Sequence, residues 1–203
     1  MIEKRSAIQD AMKYAKLLFM RGMVTGSTGN ISFRVGDAML ISGSGSCFGM
    51  LAEDSFACVT SAGGILEGHP SKEWPLHLAV YKSNSEYGAV IHAHSHYSVL
   101  FSCLRGINDN VKKLFAYTPY LAMRTGGRVV CVPYHRPGSE ELFRAFDARV
   151  KGNCRVYVLQ NHGVIAAGKD VADAFMVLEE FEATARIMKD ICGYVENDYV
   201  CIG

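Results

Sequence analysis

Two histidines one residue apart, His92 and His94, close the apolar run Gly88-Ala89-Val90-Ile91. A third, His162, closes a second run, Val156-Tyr157-Val158-Leu159-Gln160-Asn161. Alternate side chains of a β-strand share a face, so His92 and His94 can grip one ion and leave a corner for His162. Three imidazoles at strand ends describe an open, catalytic kind of metal site. The same three could instead be partly buried histidines bonded to backbone, but strand ends are where side chains leave a core for a cleft, which favours the metal. Asn161 and Gly163 flank His162 and can turn the chain sharply and supply hydrogen bonds to the ligand. His96 would share the face only if the strand continued, and Ser95-His96-Tyr97 reads instead as the opening of a helix. His69, His77 and His135 read as ordinary histidines bonded to backbone.

Glu73 falls in the first turn of a helix expected just before the histidine strand. A carboxylate there complements the helix dipole; beside a trihistidine metal it is also a candidate fourth ligand and general acid/base. The stretches Thr25-Gly26-Ser27-Thr28-Gly29-Asn30 and Ser42-Gly43-Ser44-Gly45-Ser46 read as turns. Together with Ser71 and Lys72 at a helix N-terminus they also offer hydroxyls, amides and one cation, the set a phosphate monoester requires.

The elements that must position these residues follow from periodicity. Ile8, Met12, Ala15 and Phe19 set a helix over Ser6 to Arg21, with Gly22 as its C-cap. Strands are expected at Ile31-Arg34, Ala38-Ile41 and Phe56-Thr60, separated by glycine and serine clusters. A helix from Ser71 to Ser83, capped by Ser71, tolerates Pro75 in its first turn, where amides have no intrahelical partner. Beyond the histidine strand come a helix near Tyr97-Leu104, a strand Arg128-Val132 closed by Pro133, and a helix from Ser139 to about Arg149. The strand to Gln160, another across Val164-Ala167, and a helix from its cap Asp170 to Gly193 complete the chain. This mixed order predicts an α/β fold, a sheet with antiparallel pairing covered by helices on both faces.

At 203 residues and 49% hydrophobic content the chain is expected to form one domain over 1–203. Lys and Arg total 21 against 20 acidic residues, so no broad field attracts nucleic acid or anionic membrane, and an anionic ligand must be recognised locally. No signal stretch and no apolar run of spanning length is visible, so cytoplasmic localisation is expected. The seven cysteines include no C-x-x-C pair and mostly sit in apolar segments, so they are expected to be reduced, buried and packed as small hydrophobes.

The residues Gly29-Asn30-Ile31-Ser32, Ser44-Gly45, Pro70-Ser71-Lys72-Glu73, His92-Ala93-His94 and Asn161-His162-Gly163 resemble the class II aldolase/adducin family in order and spacing. The resemblance implies a three-layer α/β/α sandwich with a mainly antiparallel central sheet, a divalent ion such as Zn2+, and a homotetramer with active sites at subunit interfaces. By the same resemblance His92, His94 and His162 hold the metal with Glu73, which is also the acid/base. Gly29, Asn30, Ser44, Gly45, Ser71 and Lys72 fall on the phosphate site, and Tyr120 matches a tyrosine that acts as proton donor across the subunit boundary.

Lys72 replaces a second serine of the family's fuculose enzyme, and Pro137 replaces a phenylalanine of its aldehyde pocket. Segments around Gly45-Gly49, Phe115-Tyr120, Val132-Gly138 and Glu179-Ala185 resemble instead the branch that decarboxylates 3-oxo-tetronate 4-phosphates. That implies a metal-dependent carbon–carbon lyase on a small phosphorylated sugar acid, with Lys72, Arg124 and Arg136 available for a carboxylate. Aldol cleavage of a ketose phosphate is the alternative, and a non-catalytic adducin-like module is a third reading.

Overall fold

The structure, a computed structural model, describes residues 2–193 and 198–200. The chain begins with helix α1 (Ile2–Met20) and forms an antiparallel series β1 (Asn30–Val35), β2 (Ala38–Ser42), β3 (Phe56–Thr60) and β4 (Ile65–Glu67). Helix α2 (Trp74–Ser83) leads to β5 (Ala89–Ala93). Helices α3 (His96–Ser102), α4 (Ile107–Leu114) and α5 (Tyr120–Thr125) precede β6 (Val130–Val132). Then come α6 (Glu140–Asp147), β7 (Val156–Leu159), β8 (Gly163–Gly168) and α7 (Val171–Cys192). The strands form one sheet in the order β4-β3-β2-β1-β5-β8-β7-β6. Every pairing is antiparallel except β6 with β7, so the sheet is mixed, with antiparallel pairs dominant.

Strand alternation sorts side chains between two cores. Ile31, Phe33, Ala89, Ile91 and Ala93 face α1 and α7, where they meet Ala11, Ala15, Leu18, Leu178 and Phe181. Val90, Ile165 and Ala167 face the other way, toward Leu76 and Val80 of α2 and Leu142 and Phe146 of α6. Asn30, Ser32 and His92 have the parity of Val90 and point toward α2. The register sets Asn30 opposite His92, and Ala93 opposite Val164, so the start of β1, the end of β5 and the β7–β8 turn meet at one edge of the sheet.

The expected cap at Asp170 is present, its side chain accepting from the backbone N–H of Asp173, and Ser139, expected only as a helix start, caps α6 by accepting from the Leu142 N–H. The cap expected at Ser71 is not present. Helix α2 begins at Trp74, whose amide donates to the Ser71 carbonyl, and Glu73 holds the cap position without a side-chain bond. Of the six described cysteines all are free thiols and only Cys154 is buried, which corrects the expectation of mostly buried ones; Cys201 lies outside the described residues. Among the described residues no helix is long and apolar enough to cross a membrane.

Candidate metal and phosphate site

Each histidine is placed by the strand end that carries it. His92, fully buried, is the last-but-one residue of β5 and shares its face with Asn30. His94 lies just past the strand, where the chain is anchored from α7. The Glu182 carboxylate accepts from the amides of Tyr97 and Ser98 at 2.9 and 2.8 Å and from the hydroxyls of Ser95 and Ser98 at 2.7 and 2.6 Å. His162 sits in the β7–β8 turn, where Asn161 takes a positive φ of 52°. Gly163 is required next to it: a Cβ there would stand 2.5 Å from the Ala93 carbonyl oxygen and 2.9 Å from His94 Cδ2.

The three rings converge with nitrogen atoms within 4.8 Å of one another. His94 Nε2 and His162 Nε2 lie 2.9 and 3.3 Å from His92 Nε2. Glu73 closes the fourth side, its Oε2 3.3 Å from His92 Nε2 and its Oε1 3.5 Å from His162 Nε2. A carbonyl can only accept, so His92 Nδ1, 3.0 Å from Val164 O, carries its proton and Nε2 turns a lone pair inward. Burial, reinforced by neighbouring His92, lowers His94 to about 3 and His162 to about 4, which keeps both imidazoles neutral. Burial alone would push the Glu73 carboxyl up; its hydrogen bond and other interactions with His92, and those with His162 and His94, outweigh it and hold it below the usual carboxylate range.

A divalent ion fits this set. Tetrahedral coordination with metal–nitrogen bonds of about 2.0–2.1 Å sets neighbouring ligand nitrogens roughly 3.3 Å apart, near the spacings seen here. Glu73 Oε1 and His162 Nδ1 are moreover buried polar atoms without a hydrogen-bond partner among the described residues. A cation beside Oε1 would answer the first of these two.

The histidines open onto a cleft of about 300 Å³ lined by Ser27, Thr28, Gly29, Asn30, Gly43, Ser44, Gly45, Ser71, Lys72, Glu73, His94, Pro137, Asn161 and His162. All six residues predicted for phosphate are therefore in one place. Gly29 is the tightest of them, with a φ of +77° and no room for a Cβ, which would lie 2.7 Å from the His92 carbonyl oxygen. The serine-glycine turn after β2 is held to the Pro70-Ser71 segment by the Gly43–Pro70 bridge and by the Ser44 amide, which donates to His69 O. That amide is thus committed to the fold, which leaves the Ser44 hydroxyl as the donor this residue can offer a ligand. The Lys72 stem passes Gly138, where a Cβ would stand 2.9 Å from Lys72 Cδ.

Tyr120 and Arg124, on α5, are exposed and line none of this cleft. Arg136 is exposed beside Pro137, which does line it. Asn161 Nδ2 donates to Val200 O, so this side chain supports the C-terminal segment and not an imidazole, contrary to expectation. His77 was read as a backbone-bonded histidine; it is fully buried and bonded to the side chains of Ser32 and Asn30. Glu182, half-buried on α7, was passed over as well; Glu179 and Glu180 beside it are equally half-buried, so the sequence carried no mark that singled it out. A larger hollow of about 520 Å³, bordered by Arg21, His96, Tyr97 and Arg186, contains none of the predicted site residues.

With this fold and this site, the chain belongs to the class II aldolase and adducin family: the model for the Class II Aldolase and Adducin N-terminal domain matches residues 9–188. Within the family it is 36% identical over 187 residues to the 3-oxo-tetronate 4-phosphate decarboxylase of Escherichia coli, covering 91% of this chain and 87% of the relative. It is 33% identical over 176 residues to an L-fuculose phosphate aldolase of Methanococcus maripaludis, covering 87% and 92%. The solved structure of YgbL from Klebsiella pneumoniae superimposes with a TM-score of 0.86 at 34% identity, over 93% of this chain and 90% of that one.

Proposed function

We propose that this protein is a metal-dependent carbon–carbon lyase that decarboxylates a 3-oxo-tetronate 4-phosphate to dihydroxyacetone phosphate and carbon dioxide. The observation that carries the proposal is the meeting of three inward-facing imidazoles and Glu73 with a serine-, glycine- and lysine-lined cleft. The decarboxylase relatives at 36% identity support the choice of reaction. Aldol cleavage is the second reading, favoured by the fuculose phosphate aldolase relatives.

His92, His94 and His162 would hold the ion, with Glu73 beside them; imidazole and carboxylate donors suit Zn2+, one per chain. When bound, the ion supplies Lewis-acid stabilisation of the negative charge that develops on substrate oxygen. In the reaction the bond between the carboxylate carbon and the neighbouring hydroxylated carbon breaks, and its electron pair stays on the latter. A proton added there completes dihydroxyacetone phosphate. Glu73 is placed to hold and move that proton, and Tyr120 of a neighbouring subunit would be a further donor. Gly29, Asn30, Ser44, Gly45, Ser71 and Lys72 anchor the phosphate. Lys72, Arg136 and Arg124 position the carboxylate, Arg124 across a subunit boundary because α5 lies away from its own chain's cleft.

We read residues 1–203 as one domain and the active unit as a cytoplasmic homotetramer; the exposed apolar side chains of Tyr117, Tyr120 and Met123 support association between subunits. The test is incubation with phosphorylated 3-oxo acids and with ketose phosphates, following dihydroxyacetone phosphate and carbon dioxide separately. Carbon dioxide in step with dihydroxyacetone phosphate is the expected result, and release of an aldehyde alone would overturn it.

A further inference from the structure

Two rows of side chains run in step between β1 and α2. Same-face residues of a strand are spaced about 6.6 Å apart, and residues four apart on a helix rise about 6 Å. Asn30 and Ser32 therefore match Glu73, His77 and Tyr81. The contacts alternate between the rows. Asn30 Nδ2 lies 3.1 Å from Ser71 Oγ and 3.5 Å from Glu73 Oε2, and Asn30 Oδ1 meets His77 Nε2. His77 Nδ1 lies 2.7 Å from Ser32 Oγ, which is 2.8 Å from the Tyr81 hydroxyl. Asn30, Ser32, His77 and Tyr81 are all buried.

The direction of every bond follows from one anion. The carboxylate of Glu73 only accepts, so the Asn30 atom facing it must be the amide nitrogen, and Oδ1 must face His77. His77 Nε2 must then carry the ring proton. Nδ1 is left bare, so the Ser32 hydroxyl spends its single proton there, and the Tyr81 hydroxyl must donate to Ser32. The opposite flip of Asn30 would set its carbonyl oxygen against a buried carboxylate, an unfavourable contact in a low-dielectric site.

We infer that His77 is a positioning residue: with Glu73 fixing the flip of Asn30, and Ser32 backed by Tyr81 satisfying Nδ1, its Nε2–H holds the Asn30 carbonyl so that the Asn30 amide presents its NH2 to Ser71 and Glu73 in the cleft. The functional consequence rests on the reading of Asn30 and Ser71 as phosphate-site residues; the tautomer does not.

The experiment uses the metal-loaded protein labelled with 15N-histidine, the His77 signals being identified by their loss in His77→Gln. Wild type is expected to show protonated Nε2 and bare Nδ1 at position 77. Ser32→Ala strips Nδ1 of the Ser32 donor and leaves the Glu73–Asn30 side alone to oppose the Nδ1–H form, so a measurable share of that second tautomer should appear, with metal content unchanged. Inorganic phosphate should bind Ser32→Ala about tenfold more weakly than wild type, the loss of one well-placed hydrogen bond. Tyr81→Phe, which preserves the ring, should shift both readouts in the same direction by less. A wild-type His77 protonated on Nδ1 overturns the inference, as does phosphate binding that is unchanged in Ser32→Ala despite a scrambled tautomer. Failure of wild type to bind phosphate, with the Nε2–H tautomer present and partly lost in Ser32→Ala, counts against the phosphate reading and sustains the positioning chain.

Discussion

Glu73 Oε2 stands 3.3 Å from His92 Nε2, although the first residue caps α2 and the second is the last-but-one residue of β5. The contact exists because His92 has the strand parity that faces α2, while its neighbours Ile91 and Ala93 face the α1/α7 core. A slip of one residue in β5 would send His92 into apolar packing and aim Ala93 at the carboxylate. Sheet register is therefore what assembles the site.

The first prediction concerns the metal. Purified protein should carry about one divalent ion per chain, and His94→Ala should remove it together with activity. Gly163→Ala should weaken metal binding without touching a ligand, because its Cβ would press on Ala93 O and His94 Cδ2. Overpacking of this kind should also lower stability by about 1–3 kcal/mol. Elemental analysis and thermal melts measure both effects; full metal in His94→Ala would remove the assignment.

Glu73→Gln preserves shape and removes the charge. It should leave the fold intact and reduce kcat by roughly a hundredfold or more, as loss of a positioned acid/base does. Turnover equal to wild type would return Glu73 to the role of a residue at a helix start.

The strand-end histidines were legible because a short apolar run names both the strand and its exit point, and the cap Asp170 and the helix start at Ser139 were legible for similar local reasons. The phosphate turns were legible as a group: Gly29, Ser44, Ser71 and Lys72 lie far apart in sequence, but their hydroxyls, amides and cation together suit a phosphate, and the family resemblance then picked out the individual residues. Helices α4 and α5 were not anticipated. In α4 the stripe Ile107, Val111 and Leu114 recurs at i, i+4 and i+7 but covers only eight residues and was passed over, and α5 has just six residues. His77 was misread because a lone histidine in an apolar helix carries no sign of its partners. The clue lay in the polar alternation Asn30-Ser32 on a strand whose other face is apolar.

Acid should destabilise the protein through His77. Burial lowers its pKa to about 3 from an ordinary 6.5, so above pH 6.5 it is neutral whether folded or not, and its contribution is fully present. As pH falls below 6.5 the unfolded chain takes up a proton that the folded chain refuses. Stability is then lost at up to about 1.4 kcal/mol per pH unit until pH approaches 3. His94 and His162 act in the same direction in metal-free protein, so the measurement is the difference between wild type and His77→Gln in chemical denaturation from pH 7 to 4. The variant should show the shallower decline, by about one proton. Parallel curves would mean that His77 is protonated in the fold.

Lys72, Arg124 and Arg136 separate decarboxylation from aldol cleavage. A phosphorylated 3-oxo acid carries two anionic groups and a ketose phosphate only one, so a cation that holds the carboxylate matters for the first substrate alone. Removing one should weaken binding of the oxo acid by about 1.5–3 kcal/mol, the range for hydrogen bonds to charged groups. Lys72 lines the cleft with the phosphate residues, so Lys72→Ala should affect both substrates, and the oxo acid more. Arg136→Ala should act on the oxo acid selectively, from its place next to Pro137. Arg124→Ala should do so only in the assembled oligomer, since α5 leaves its own cleft; mixing Arg124→Ala subunits with Lys72→Ala subunits should then restore some sites that have both cations. Values of kcat/KM for the two substrate classes decide the matter. Equal losses on both classes in all three variants would give the site to the aldolase reaction.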